Sequence, residues 1–157
     1  MPFKLSPSKI CLFLTLLLGI LIFYPRSNFQ VRLAQGDHGR DLYSFQQTAQ
    51  GAIPIHDYWT QNGPLMPYYY ALIYKIFGST IQSTLLGYYF LVLCAGLMIF
   101  LIAREFLSPL AALAGVLWYW TFRGEEFFYT YNHIGAVVCV LLSIYCLVRH
   151  IKNNTIR

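Results

Sequence analysis

The feature that most constrains this chain is a long stretch without charged residues, at positions 81–103. A transmembrane helix needs about 20 consecutive apolar residues, and this stretch has that length. Only 11% of the whole sequence is charged, whereas a soluble domain has about 25% charged residues. Because so few charges cannot cover a water-facing surface, the sequence predicts an integral membrane protein.

Other apolar segments have the flanking residues expected of membrane helices. They are residues 10–26, 109–123 and 133–149. The first has basic residues at both ends and lacks the small-residue cleavage site of a secretory signal peptide, so we interpret it as an uncleaved anchor. With residues 81–103, these segments predict one all-α integral membrane domain, residues 1–157, with about four transmembrane helices.

The positive charges predict the orientation of these helices. Lys and Arg are enriched in the short cytoplasmic flanks of membrane helices, and long loops count little in this rule. With the N-terminus inside, the cytoplasmic cations are Lys4, Lys9, Arg104, Arg149, Lys152 and Arg157. The sequence thus predicts a multi-pass cell-membrane protein with both termini in the cytoplasm and a long extracytoplasmic loop, residues 27–80. Since the cations flank apolar runs and form no basic stripe, no nucleic-acid partner is expected.

The long loop has the periodicity of two helices. Residues 39–50 predict the first, and Gly51 can end it. One face of this helix is apolar: Leu42, Phe45 and Ala49. Residues 61–67 indicate a turn, and the tyrosine-rich residues 68–77 predict the second helix. Tyr side chains favour the lipid headgroup region, so we expect two membrane-surface helices. The alternative is a lid that covers the bundle.

Polar side chains of the loop are concentrated at the start of the first predicted helix and in the residues that follow its end: Asp37, His38, Arg40, Asp41, His56 and Asp57. Two acids near two histidines are suitable ligands for a divalent metal, although their spacing matches no standard metal signature. One alternative is that Asp37 caps the helix N-terminus, where a carboxylate is favoured. Another is that His56 is a hydrogen-bonded structural residue. No cofactor is assigned, and a divalent metal stays open.

The same loop contains a longer pattern. Its parts are Asp37-His38-Gly39-Arg40-Asp41-Leu42-Tyr43, Gly51-x-x-Pro54-x-x-Asp57-Tyr58-Trp59 and Gly63-Pro64-Leu65-x-Pro67-Tyr68-Tyr69. After a first apolar helix, this pattern resembles the first outer loop of membrane glycosyltransferases with the GT-C fold. Within them it is most similar to the protein O-mannosyltransferase and aminoarabinose-transferase superfamily, including its bacterial RgtA/B/C/D-like members. Because members have many more transmembrane helices, the resemblance implies the N-terminal portion of a larger family fold.

The resemblance implies transfer of a sugar from a polyprenyl-phosphate carrier to a lipid or glycan acceptor at the extracytoplasmic membrane face. In the family, an acid that opens an Asp-Glu pair in this loop is interpreted as the catalytic base. Asp37 matches that acid, and His38 stands where the Glu is expected. Many members place a Lys before the Pro-Leu segment to meet the carrier phosphate, whereas this chain has Asn62.

Other residues are therefore candidates for contacts with the phosphate or the substrate: Arg40, Lys75, Arg123, His56 and Asp57. Many family members also carry an acid in the second outer loop. The residues that occupy that region here are Glu125, Glu126, Asn132 and His133. The sequence does not choose among these four positions.

Several functional hypotheses stay open from the sequence alone. The first is a polyprenyl-phosphate-sugar-dependent glycosyltransferase that transfers a hexose or a pentose. The second is a non-catalytic membrane accessory protein that binds lipid, and the third is an inactive fragment. A partner chain that supplies further helices is compatible with the first two.

Overall fold

Six α-helices account for most of the described residues. The computed structural model describes residues 6–26, 37–61, 63–123 and 131–155. The helices are α1 (Pro7–Arg26), α2 (Asp37–Ala49), α3 (Leu65–Phe77), α4 (Ile81–Ala103), α5 (Pro109–Arg123) and α6 (Tyr131–Thr155). The described residues contain no β-strand, and an isolated bridge joins Pro54 to Tyr58. The predicted all-α fold is confirmed.

Three of these helices are long and apolar enough to cross a membrane. The qualifying segments within the described residues are Pro7–Pro25, Ile81–Ala103 and Tyr131–Asn154. The fourth expected span, α5, has 15 residues. At 1.5 Å per residue it is about 22 Å long, which is shorter than the hydrocarbon core of about 30 Å. Such a helix crosses only where the bilayer thins or flanking residues snorkel, so this span stays a prediction.

Contacts at the helix ends define the directions of α1, α4 and α6. The guanidinium group of Arg104, after α4, donates a hydrogen bond to Ser8 at the start of α1. Glu105 accepts hydrogen bonds near the end of α6, at 3.3 Å from Arg149 and 3.1 Å from Lys152. The start of α1 and the ends of α4 and α6 therefore meet. We term this the basic end of the bundle, defined by Arg104, Glu105, Arg149 and Lys152.

Glu105 connects two cations at the basic end. The hydrogen bond from Lys152, followed by the contact with Arg149, holds the pKa of Glu105 below its ordinary value. A carboxyl group with a lowered pKa in the folded protein adds stability above its unfolded-state pKa, and that stability is lost as pH falls through the folded pKa. The contribution is thus present at neutral pH and absent well below about pH 4.3, the ordinary pKa of Glu.

Glu105→Gln is expected to lower the free energy of unfolding by about 1 kcal/mol at pH 7, because partly exposed ion pairs contribute at this level. When the pH is lowered from 7 to well below about 4.3, the ordinary pKa of Glu, the difference in stability between the variant and the natural protein should shrink. Unfolding of the detergent-solubilised chain at both pH values measures the difference. The double variant Glu105→Gln with Lys152→Met should lower the free energy of unfolding by little more than either change alone. An equal deficit at both pH values would contradict this role.

Trp120 is the largest fully buried side chain of the described core, with 1% of its surface exposed. Its ring lies edge-on to Phe23, with 5.5 Å between the ring centroids, and its Nε1 donates to the Val92 carbonyl at 3.4 Å. A Cβ atom on Gly96 would lie 2.5 Å from the indole nitrogen, and one on Gly19 would lie 2.8 Å from the ring. Glycine at both positions therefore makes room for the indole between α1 and α4.

The first loop helix, α2, has the apolar face that the sequence predicted. Phe45 is fully buried, and Leu42 and Ala49 are partly buried against the core. Ser44 and Thr48 complete the buried face, where each hydroxyl donates to the backbone carbonyl one turn earlier. The helix thus packs by its apolar side, as amphipathic helices do.

The second loop helix, α3, begins at Leu65 rather than at Tyr68, so the expected turn over 61–67 is wrong in its second half. Pro64 precedes the helix, and Pro67 lies in its first turn. Proline is tolerated there because the first amide groups of a helix have no intrahelical acceptor. The helix therefore includes Leu65, Met66 and Pro67, which the sequence analysis placed in the turn.

α3 lies across the first turns of α4 and α6. The Tyr69 hydroxyl donates to the Gly87 carbonyl at 2.8 Å, and the hydroxyls of Tyr74 and Thr84 are 2.7 Å apart. We term α2, α3 and the first turns of α4 and α6 the loop end of the bundle. It is opposite the basic end, because α4 and α6 both run from one to the other.

Candidate functional site

A groove of about 560 Å³ opens at the loop end, between the start of α3 and the start of α6. Its lining residues are Gly63, Pro64, Leu65, Met66, Tyr68, Asn132, His133 and Ala136. The groove brings together two features that the sequence singled out separately, the Gly63-Pro64-Leu65 segment and the Asn132-His133 pair. Its walls are mainly apolar, and these last two residues supply side-chain polar groups.

Close packing of α3 against α6 forms the floor of the groove. Met66 is buried, and it lies where any side chain on Gly135 would collide with its sulfur. Glycine at position 135 therefore allows the two helices to approach closely. A larger residue there would displace the Met66 side chain, which lines the groove.

A hydrogen bond connects the groove to α2. The Nδ2 group of Asn132 donates to Oδ2 of Asp41 at 3.0 Å. The Nε atom of Arg40 lies 3.9 Å from Oδ1 of the same carboxylate. A guanidinium NH group of Arg40 also donates to Oε1 of Gln61 at 2.8 Å. Arg40, one of the candidate cations, thus contacts the Asp41 carboxylate. The same carboxylate accepts the hydrogen bond from Asn132 in the groove.

His38 provides a second contact between α2 and α6. Its ring lies edge-on to Tyr131, with the ring centroids 5.7 Å apart. Asp37 is the first residue of α2, and its side chain lies outside the described part. The first turn of α2 is therefore fixed against the first residues of α6. Backbone amides at that helix start favour an anion.

Lys75 lies outside the groove, and three other predicted site residues fall wholly or partly outside the described part of the chain. Lys75 lines a second cleft, of about 260 Å³, between α3 and the residues after α2. Tyr68 lines both this cleft and the groove. Arg123 ends α5 with its side chain outside the described part, and Glu125 and Glu126 lie outside the described residues. Their proposed roles stay predictions.

His56 and Asp57 form an exposed pair in the turn between α2 and α3. His56 Nδ1 and Asp57 Oδ1 are 2.6 Å apart, and the Ile53 amide donates to the other Asp57 oxygen at 2.7 Å. The amide of Ile53, and then His56, lower the pKa of Asp57. Ile55 has φ +73°, a strained conformation for a β-branched residue. The geometry supports the interpretation of His56 as a hydrogen-bonded structural residue, and neither residue lines the groove.

The open alternative of a metal site gains no support from these contacts. Within the described ranges, no three His, Cys, Asp or Glu side chains are grouped closely enough to hold a metal ion. The side chain of Asp37 lies outside the described part of the chain.

An aromatic cluster beneath the site was not assigned from the sequence. Tyr70 stacks on Phe45 with 4.2 Å between ring centroids, and it lies edge-on to Tyr131. Burial raises the pKa of Tyr70 well above its ordinary value, and its hydroxyl has no hydrogen-bond partner among the described residues. The four-residue spacing of Met66, Tyr70 and Tyr74 was the available signal, since residues at this spacing share a helix face.

Comparison with known families identifies the type of protein. The sequence model of the dolichyl-phosphate-mannose-protein mannosyltransferase family matches residues 61–157. The chain belongs to this family. The predicted relationship to membrane glycosyltransferases of the GT-C type is thereby confirmed. No curated protein and no solved structure matches the chain.

The extent of the mannosyltransferase-family match bears on the site. It includes every lining residue of the groove, because both Gly63–Tyr68 and the start of α6 fall within it. It begins after α2, so Asp37 and Asp41 lie outside the matched residues. Family membership therefore supports the groove more directly than it supports the proposed base.

Proposed function

We propose that this chain transfers a sugar from a polyprenyl-phosphate carrier to a lipid or glycan acceptor. The observation that carries the proposal is the groove, whose two walls both belong to the part matched by a glycosyltransferase family. Its volume of about 560 Å³ is within the usual range of ligand sites.

The lining of the groove suits an amphipathic ligand. Leu65, Met66 and Ala136 offer apolar surface along the first turns of α6, which is long and apolar enough to span the membrane. Asn132 and His133 offer polar groups, and Asn132 is hydrogen-bonded to Asp41 of α2. A carrier with an apolar chain and a polar phosphate-sugar head presents the matching pair of surfaces.

The chemistry also requires a base and a group that stabilises the leaving phosphate. An acceptor hydroxyl is a weak nucleophile until a base removes its proton, and we assign this role to Asp37 at the start of α2. Arg40 and the exposed amides of the α2 start would stabilise the phosphate as it leaves. The loop end would thus supply the catalytic groups and the groove would bind the carrier.

We place the loop end at the extracytoplasmic face and both termini in the cytoplasm. The support is the set of cations at the basic end, since Lys and Arg are enriched in short cytoplasmic flanks. The outward face of α3 carries an exposed apolar stripe: Leu65, Tyr68, Leu72 and Ile76. Such a stripe fits a helix that lies in the lipid headgroup region.

The second candidate function is binding of a polyprenyl lipid without transfer. It is favoured by one observation, that the family match contains the whole groove but not the α2 residues assigned to catalysis. The two candidates differ in one measurable respect, which is whether a bound donor loses its sugar.

Ala136→Trp is expected to lower sugar transfer by about tenfold or more, the effect of about 1.4 kcal/mol, because the indole would fill the groove. The full chain in liposomes is supplied with a polyprenyl-phosphate-linked sugar, and both transfer and donor binding are measured. The matched control is Leu147→Trp, on the same helix near the basic end, where 58% of the side chain is exposed. That control should behave like the natural protein.

The outcomes separate the candidates. Transfer that Ala136→Trp reduces and Leu147→Trp does not would support the transferase. Donor binding without transfer, lost in Ala136→Trp, would support the lipid-binding alternative. Equal transfer by the natural protein and Ala136→Trp would contradict the assignment of the groove.

A further inference from the structure

The contact between Asp41 and Asn132 joins parts of the chain that are 91 positions apart. The Asp41 side chain is only 14% exposed, so its carboxylate has limited access to water. A hydrogen bond to a charged group contributes more to stability than one between neutral groups. The bond therefore contributes to holding the first turn of α2 against α6.

Asp41 lies one helical turn after Asp37 in α2. Residues four apart in an α-helix share a face, so a restraint on Asp41 restrains the position of Asp37 as well. The later turns of α2 are held by burial of Phe45 and Thr48. The first turn is held instead by polar and ring contacts with α6, namely Asp41 to Asn132 and His38 to Tyr131.

Asn132 contributes both to the lining of the groove and to the contact between α6 and α2. It lines the groove beside His133, and its amide donates to Asp41. A ligand in the groove thus lies against the residue that holds α2. The sequence pattern of the loop indicates neither the contact of Asp41 with α6 nor this role of Asn132.

We propose that Asp41 and Asn132 are positioning residues, whose hydrogen bond holds the first turn of α2, and with it Asp37, at the mouth of the groove. The proposal rests on the proposed function, because it gives Asp37 a reaction to be positioned for. Small displacements of a catalytic group are costly, since an error of about 1 Å can lower a rate by about 100-fold. Loss of the bond should therefore lower kcat more than it raises KM.

A charge exchange between the two positions tests this directly. Asn132→Asp places two carboxylates against each other and removes the donor, so the bond is lost. We expect kcat to fall by between about 10-fold and 100-fold, with a smaller change in KM. Adding Asp41→Asn restores a donor and a carboxylate acceptor in reversed order. The double variant should recover kcat to within about threefold of the natural protein, or about 0.7 kcal/mol.

The double variant also separates positioning from a direct effect in the groove. It keeps the aspartate at position 132, so any harm caused by a charge touching the ligand would persist. Recovery of kcat supports the proposal, and failure to recover contradicts it. The matched control is Gln46→Glu, which adds the same charge to the exposed face of α2 and should leave kcat unchanged.

A distance measurement makes the test independent of transfer. Spin labels at Tyr43→Cys on α2 and Val140→Cys on α6, in a background without the native cysteines, report the position of α2; both sites are exposed. The distance distribution should broaden with Asn132→Asp and narrow again with the double variant. An unchanged distribution overturns the proposal. If this pattern holds while no donor yields transfer, the proposed function has failed and the hydrogen bond still positions α2.

Discussion

Asp37→Asn is expected to lower sugar transfer by about 10²–10⁴-fold, the usual contribution of a general base, while the fold stays intact. Asparagine cannot accept the proton of an acceptor hydroxyl. It caps a helix start as well as aspartate does, so α2 should still begin at position 37. Initial rates of transfer by the full chain in liposomes measure the effect, and unfolding measurements test whether stability is preserved.

The matched control for Asp37→Asn is Glu105→Gln, which makes the same change from carboxylate to amide at the opposite end of the bundle. Glu105 contacts Arg149 and Lys152 and follows the end of α4, at the end of the bundle opposite the groove. Its loss should affect stability at neutral pH and not the rate of transfer. Undiminished transfer by Asp37→Asn would leave Asp37 as a helix cap and remove it from the mechanism.

The helices of this protein were largely predictable because their signals are local. The charge-free run at 81–103 is α4 with the same ends, and the apolar segment at 109–123 is α5. The apolar face of α2 also follows directly from residue spacing, since Phe45 is buried where the pattern places it. In each case, the residues that decide the structure are within a few turns of one another.

The groove was not predictable, because it depends on contacts between distant parts of the chain. Met66 reaches Gly135, and Asp41 reaches Asn132, across sequence separations that no periodicity encodes. The sequence did single out the two walls separately, as a motif and as a polar pair. Only the packing of α3 on α6 shows that they face the same space.

His56 and Asp57 of the polar cluster make local contacts that the sequence also did not predict. Proximity in sequence suggested that His56 and Asp57 join the residues around Asp37. The backbone reverses at Ile55, and the amide of Ile53 takes one Asp57 oxygen while His56 takes the other. The carboxylate is thereby used to close a turn, which composition and spacing alone do not reveal.

Trp120→Ala is expected to lower the free energy of unfolding by about 3–5 kcal/mol, the usual cost of truncating a buried aromatic residue. Association of helices in a bilayer depends on close packing, because lipid is as apolar as the side chains that it replaces. The indole fills the space that Gly19 and Gly96 leave between α1 and α4. Its removal would open a cavity that two glycines cannot fill, and would also release the Val92 carbonyl.

Trp118→Ala is the matched control, since it removes the same side chain from the same helix at a position that is 65% exposed. Surface substitutions usually change stability by no more than about 0.5 kcal/mol. Unfolding of both variants in one detergent, followed by the loss of helical signal, gives the comparison. If α1, α4 and α5 pack around this indole, Trp120→Ala must lower the free energy of unfolding much more than Trp118→Ala does. Equal losses would show that the three helices are held together by other contacts.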